Sequence, residues 1–401
     1  MPENGLLLEL KDLPLAYERL SEPIIHGRLY GKPYSCTLLN VFSTQTNFSG
    51  NTDGLSRTTS CVVQRVLLGK QIADENELYF EKVFFTYSNF REWVNRPSIV
   101  TEFIPDGESY SEFKEIPKIS GNLDDLWNYE IEFHNYGEYP KESFKISIEQ
   151  GVTFNILPRD EKTLHLNDFL KMNQIVKLFF MFMQGSYIVE ESINCINFEK
   201  NIRVELIQFY PQLAKPKKFD HNVKFKHTYD EIKIKFERII QKWVEKYKEM
   251  PDFFNSYFEN IINESLFPYD RFENLFQSIL FYYNYKFDNK RLPKEEYSTF
   301  IKKMKGKLNE EEQKFVDRFS NLGNEFSISQ QLDKVFEQLE FFKNEPQKRK
   351  RYIREIVKTR HKISHATGRI TPQSLSDATN MTSNLTTFIS NLILYEIEYS
   401  K

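Results

Sequence analysis

The segment Arg360-His361-Lys362-Ile363-Ser364-His365 brings an arginine and two of the chain's seven histidines within six residues. Imidazole exchanges its proton near neutral pH, so it suits proton transfer to and from a reacting oxygen. Guanidinium presents a rigid fork of donors matched to phosphate. Together these groups suffice for attack of a ribose 2′-OH on the adjacent phosphodiester. A histidine moves protons while the arginine offsets charge on the phosphorane, and no metal or other cofactor is required. Arg360, His361 and His365 are therefore the candidate catalytic residues. Structural roles stand beside these. His365 could neutralise a helix end, Arg360 could form an ion pair with Glu355, and His361 could be merely exposed instead of shaping the pocket and orienting His365. Ser364 has no acidic neighbour to complete a nucleophilic triad and reads as a bystander.

The surrounding charge favours a polyanionic substrate. Residues 341 to 370 hold ten Lys or Arg against two acids, Glu345 and Glu355, in a chain whose net charge is −3. One basic surface on an otherwise acidic molecule follows, although a charge run can also be a plain solvated helix face. Arg354, Lys358 and Lys362 are the candidate RNA-phosphate contacts. Other chemistries find no motif. The chain has no G-x-G-x-x-G, no G-x4-G-K-[ST], no H-E-x-x-H and no C-x-x-C. Cys36, Cys61 and Cys195 are too widely spaced for a metal set or a disulfide framework and read as buried thiols. His26, His134, His165, His221 and His227 lack partners at metal spacing and read as structural.

The elements that must hold this segment are helical. Pro346 to Ile363 predicts a helix with Ile353, Ile356, Val357 and Ile363 inward, stopped before Gly368. A last helix opens at Thr371-Pro372 and buries Leu375, Leu385, Phe388, Ile389, Leu392 and Tyr395. Upstream, stripes at 3.6-residue spacing run through Tyr229 to Tyr247, Phe272 to Tyr283 and Ile328 to Leu339. Asn309 with Glu312 starts another helix as a capping box. Helices of this length with short connections predict a bundle over residues 251–401.

Before residue 160 the period is two. Phe144 to Glu149 and Val152 to Ile156 alternate apolar with polar about Gln150-Gly151, which predicts a hairpin. Tyr129 to Phe133 alternates likewise. Cys36 to Phe42, Cys61 to Leu68 and Leu78 to Thr86 are richer apolar runs, as expected of strands covered on both faces. Ser43 to Ser60 is rich in Ser, Thr, Asn and Gly and predicts a mobile loop. His165 to Met183 is an apolar helix stopped by Gly185, and residues 186–227 look extended. A sandwich or curled sheet over residues 1–250, with helices in its later part, gives an α+β chain of two domains. The length of 401 residues and the 40% apolar and 28% charged content agree with a globular protein of that kind. No signal peptide opens the chain and no apolar run is long enough to span a bilayer, so a cytoplasmic protein without membrane contact is expected.

The motif Arg360 to His365, set before a final apolar helix, resembles the Arg-(polar)-x-x-x-His signature of HEPN ribonucleases, with His361 in the polar slot. Several blocks also look like ApeA-type proteins. They are His26-Gly27-Arg28 with Gly31, Tyr34 to Phe42, Arg65 to Gly69, Phe84 to Trp93, Phe179 to Gly185 and Asn324 to Ile328. The resemblance implies an anti-phage abortive-infection effector whose HEPN domain cuts cellular RNA, tRNA in the first place. It further implies a homodimer with a shared cleft, products with 2′,3′-cyclic phosphate and 5′-hydroxyl ends, and a front domain that senses a phage-derived trigger or restrains the toxic activity. Two other classes stay open: a catalytically silent HEPN module that binds RNA or nucleotide, and a non-enzymatic phage-sensing interaction protein.

Overall fold

The computed structural model describes residues 6–11, 21–28, 34–51, 54–103, 109–138, 147–160, 162–208, 224–364 and 372–399. The chain divides into two units, Met1–Glu245 and Lys246–Lys401. The first is built on strands β1 (Leu6–Lys11), β2 (Ser21–Arg28), β3 (Ser35–Asn51), β4 (Gly54–Gly69), β5 (Tyr79–Phe80), β6 (Lys82–Tyr87), β7 (Ile99–Phe103), β8 (Ser109–Phe113), β9 (Ile119–Asn122), β10 (Trp127–Glu138), β11 (Ser147–Pro158), β12 (Leu164–His165), β13 (Glu190–Asn197) and β14 (Ile202–Gln208). Among the described residues, ten of these share one sheet in the order β2-β3-β4-β14-β13-β6-β11-β10-β9, with β1 also on β4. The described pairings are antiparallel. The fold is α+β, as expected.

Helices rather than a second sheet cover the apolar face. They are α1 (Phe90–Val94), α2 (Leu166–Gln184), α3 (Tyr229–Ile232) and α4 (Phe236–Glu249). Phe180 of α2 meets the rings of Tyr87, Phe90, Trp93 and Phe154 at centroid distances of 4.8 to 5.4 Å. Phe236 of α4 packs edge-on to Tyr129. The sandwich-like arrangement is corrected accordingly: α2, apolar nearly all round, is the second layer. His165 caps it, its Nδ1 accepting from the Asn167 N–H at 3.2 Å, and Gly185 at φ 73° ends it. Only a residue without Cβ adopts that left-handed turn cheaply.

Three other expectations fall. Gln150-Gly151 is no turn: β11 runs straight through it, with Gly151 opposite His134 of β10. A Cβ on Gly151 would lie 2.8 Å from Cε2 of Tyr136, so the glycine makes room for a neighbouring ring. Nor is Ser43 to Ser60 a loop. β3 and β4 stay paired out to Asn51↔Gly54 past a bulge between Ser43 and Gln45. Thr44, Thr46, Thr58 and Thr59 favour extended backbone, while a polar ladder carries no apolar alternation to reveal it. The run Leu78 to Thr86 is covered on one face rather than two. β6 alternates, burying Val83, Phe85 and Tyr87 and leaving Lys82, Phe84 and Thr86 on the polar side. On β3 and β4, Phe42 and Val62 are likewise exposed.

The second unit is helical: α5 (Pro251–Ile262), α6 (Pro268–Lys286), α7 (Lys294–Lys305), α8 (Glu310–Gly323), α9 (Ile328–Glu337), α10 (Glu340–Lys343), α11 (Pro346–Ser364) and α12 (Pro372–Glu396). α8 opens with the expected reciprocal bonds between Asn309 and Glu312. The Tyr269 and Ser374 hydroxyls bond near the starts of α6 and α12, and Tyr282 donates to Glu396 at 2.7 Å near their ends, so these two helices run parallel. Phe336 of α9 meets Phe342, Tyr352 and Phe388 at 4.0 to 5.6 Å, which joins α9, α10, α11 and α12 in one aromatic core. Ile353 and Ile356 of α11 are buried as expected, but Tyr395 of α12 is 55% exposed and Ile393 is buried instead. None of the helices in the described residues is long and apolar enough to cross a membrane.

Candidate active site

α11 positions the catalytic candidates, and its two long faces do different things. Ile353, Ile356 and Arg360 follow one another at i, i+3, i+7 and look into the unit. The Arg360 guanidinium carbon sits 4.9 Å from the centre of the Phe276 ring on α6. Its Nε is buried with no hydrogen-bond partner among the described residues. One turn earlier on α6 lies Glu273. Burial pushes its carboxyl above the ordinary value, against the opposing pull of the Arg360 charge and a hydrogen bond with Gln277. Arg360 thus rests on an aromatic face near a half-buried acid. Glu355, the alternative partner considered for it, instead accepts from Arg351 at 3.4 Å.

One residue later, about 100° further round the helix, the surroundings change. His361 is exposed and lines a groove of about 670 Å³ between α9 and α11, together with Ser329, Gln330, Asp333, Lys350, Ile353, Arg354, Val357 and Lys358. α9 runs antiparallel to α11. Asp333 and Glu337 of α9 meet Arg349 at the start of α11, at 2.7 and 3.6 Å. Arg349 is 7% exposed, so this ion pair clamps the two helices. Asp333, the one acid among the described residues lining the groove, is thereby already paired.

The proposed phosphate contacts divide. Arg354 and Lys358 line the groove beside His361. Lys362 does not: its ammonium donates to Asp377 of α12 at 2.7 Å. That bond, with one from Gln373, holds the Asp377 carboxyl below its ordinary value. His365 lies outside the described residues, as does His221. Of the other histidines, His165 caps α2, His26 Nε2 meets the Ile72 carbonyl at 2.5 Å, and His134 Nε2 lies 3.2 Å from the Thr153 hydroxyl. His227 is buried. The three thiols are free and buried, and burial raises the pKa of Cys61 and Cys195. Among the described residues, no group of three or more His, Cys, Asp or Glu converges as a metal-binding set.

Sequence reasoning counted Lys350 in the basic run and Phe276 in a core stripe without giving either a role at the site, and it passed over Glu273. The signal for Lys350 was available, since it stands four residues before Arg354 and eight before Lys358. Nothing local marks Glu273 or Phe276, which join Arg360 only through the packing of α6 on α11.

Residues 1–243 match the family model described as ApeA N-terminal domain 1, and residues 273–400 match the Apea-like HEPN model. No curated protein and no solved structure matches the chain significantly. The second match covers α11 with Arg360 and His361, and it belongs to a class of domains that are usually ribonucleases. Both matches tie the chain to antiviral defence of the abortive-infection type. The chain belongs to the ApeA family, an ApeA N-terminal domain 1 followed by an Apea-like HEPN domain.

Proposed function

We propose that the protein is a metal-independent endoribonuclease that cleaves cellular RNA, tRNA in the first place, during phage infection. The observation that carries this reading is the juxtaposition on α11 of Arg360, set on Phe276, with His361 at the end of a groove lined by Lys350, Arg354 and Lys358. In the reaction the ribose 2′-oxygen attacks the adjacent phosphorus and the bond from phosphorus to the 5′-oxygen breaks. A 2′,3′-cyclic phosphate and a 5′-hydroxyl result. His365 carries the proton transfer, His361 orients it or shares it, and Arg360 offsets the charge that builds on the phosphorane. The family resemblance supports a homodimer whose protomers share the cleft, and a front unit of roughly the first 250 residues that answers a phage-derived trigger.

Purified protein incubated with total tRNA in excess EDTA, beside His365→Ala, tests this. Discrete fragments with cyclic-phosphate and 5′-hydroxyl ends are expected, with a loss of ~10²–10⁴ in the variant. Equal cleavage by the folded variant would overturn the assignment. A second reading, an RNA-binding module without catalysis, draws on one observation. Arg360 and His361 face different neighbours, α6 and the groove. Binding without cleavage, before and after addition of phage-infected extract, would favour it.

A further inference from the structure

Of the basic residues on α11, several are committed to acids. Lys348 meets Glu345, Arg349 meets Asp333 and Glu337, Arg351 meets Glu355, and Lys362 meets Asp377. Lys350, Arg354 and Lys358 make no direct ion pair among the described residues and all three are exposed, although Lys358 also feels the charge of Asp377, which Lys362 already holds. They recur at i, i+4 and i+8, so they form a ridge that slants about 40° around the helix per step, with about 6 Å of rise between successive members. That step is close to the separation of successive phosphates along a nucleic-acid strand. The row runs along the groove toward His361, on whose far wall lie Ser329 and Gln330 in the first turn of α9. The antiparallel placement of α9 brings the positive end of its dipole to the His361 end of the row. Ile353 and Val357 form an apolar floor, and Asp333 is held by Arg349, so no uncompensated acid opposes a polyanion there.

We infer that this groove is a track for one RNA strand, in which Lys350, Arg354 and Lys358 each take one phosphate and lead the strand to His361. The substrate class is single-stranded RNA, since a single row of cations at about phosphate spacing along the groove matches one backbone. The inference rests on the ribonuclease reading and adds to it the register of the bound strand. It also removes Lys362 from the RNA contacts and adds Lys350.

Binding of an uncleavable 2′-O-methyl oligoribonucleotide to the full-length protein, followed by fluorescence anisotropy across a salt series, tests it. Each contact to a single strand adds about 0.7 to the slope of log affinity against log salt. Lys350→Gln, Arg354→Gln and Lys358→Gln should each lower the slope by about that much, and the triple variant by about 2. Lys343→Gln, which removes a cation paired with Glu340 away from the groove, should leave it unchanged. All these side chains are exposed, and far-UV circular dichroism checks that the helices survive. A parental slope in the triple variant overturns the track. So does tighter binding of an RNA duplex, displacement of the strand by an acidic peptide at lower concentration than by RNA, or no binding at low salt. Because the probe cannot be cut, slope changes without any cleavage of tRNA, before or after addition of phage-infected extract, would retire the ribonuclease reading and leave the track standing.

Discussion

Replacing Arg360 by methionine separates catalysis from packing. Methionine keeps an unbranched stem over Phe276 and removes the charge. Two effects on stability oppose each other. The guanidinium 4.9 Å above the Phe276 ring contributes a cation–π attraction of about 0.5–2 kcal/mol. Its buried Nε, without a partner among the described residues, carries the cost of an unmade hydrogen bond, about 1–3 kcal/mol. The two ranges set against each other leave Arg360→Met between about 1 kcal/mol less stable and about 2.5 kcal/mol more stable than the parent in urea unfolding followed by far-UV circular dichroism. Cleavage should behave otherwise. A donor aimed at developing phosphorane charge is worth ~10²–10³ in rate, so kcat/KM on tRNA should fall by that factor. Phe276→Leu keeps Arg360 and removes the aromatic face. Losing about 1 kcal/mol of positioning lowers kcat/KM about fivefold. A variant that loses more than about 3 kcal/mol of stability would show Arg360 to be a packing residue. Parental cleavage by folded Arg360→Met would refute the role outright.

Three further outcomes follow from the same geometry. Glu273 has a raised pKa through burial, so the native state holds its proton longer than the unfolded chain, and stability falls as pH rises through that window. Glu273→Gln should match the parent in acid and exceed it at neutral pH in urea titrations; identical profiles would show that the carboxylate is not desolvated. In the front unit, burial would raise the pKa of Glu130, but hydrogen bonds and charges from Lys118 and Lys82 bring it down to about 2 from 4.5. That stability is present above pH 4.5 and is lost as pH falls toward 2, so Lys82→Met should be less stable at neutral pH and flatter in acid, and an unaltered acid profile would refute the coupling. Gly69 has φ 118°, and a Cβ there would lie 2.8 Å from the Arg203 carbonyl oxygen. Gly69→Ala should therefore cost about 1–3 kcal/mol, well above Gly151→Ala, whose close neighbour is only the exposed ring of Tyr136; equal costs would contradict this.

What local chemistry specifies was legible without coordinates. The inward stripe of α11 at Ile353 and Ile356, the glycine stop of α2 at Gly185 and the Asn309–Glu312 box each depend on residues within a turn or two of one another. Side-chain periodicity and capping act at that range. The α+β division follows for the same reason, since it is a change of period along the chain. Expectations failed where a polar strand imitates a loop, as at Ser43 to Ser60, or where a glycine in mid-strand imitates a turn, as at Gly151.

Tertiary structure decided everything that depends on which face meets which neighbour. Ten basic residues lie between 341 and 370. Which of them remain open to a phosphate is set by acids on α9 and α12, distant in sequence, that neutralise Arg349 and Lys362 and leave Lys350, Arg354 and Lys358 in the groove. Likewise Arg360 and His361 are neighbours in the chain, yet one turns to Phe276 and the other to the groove. The sequence by itself determined the residue types, their helix and its phase. The packing of α6, α9 and α12 around that helix decided what each face encounters, because charge and burial at a side chain depend on atoms that chain order does not bring near.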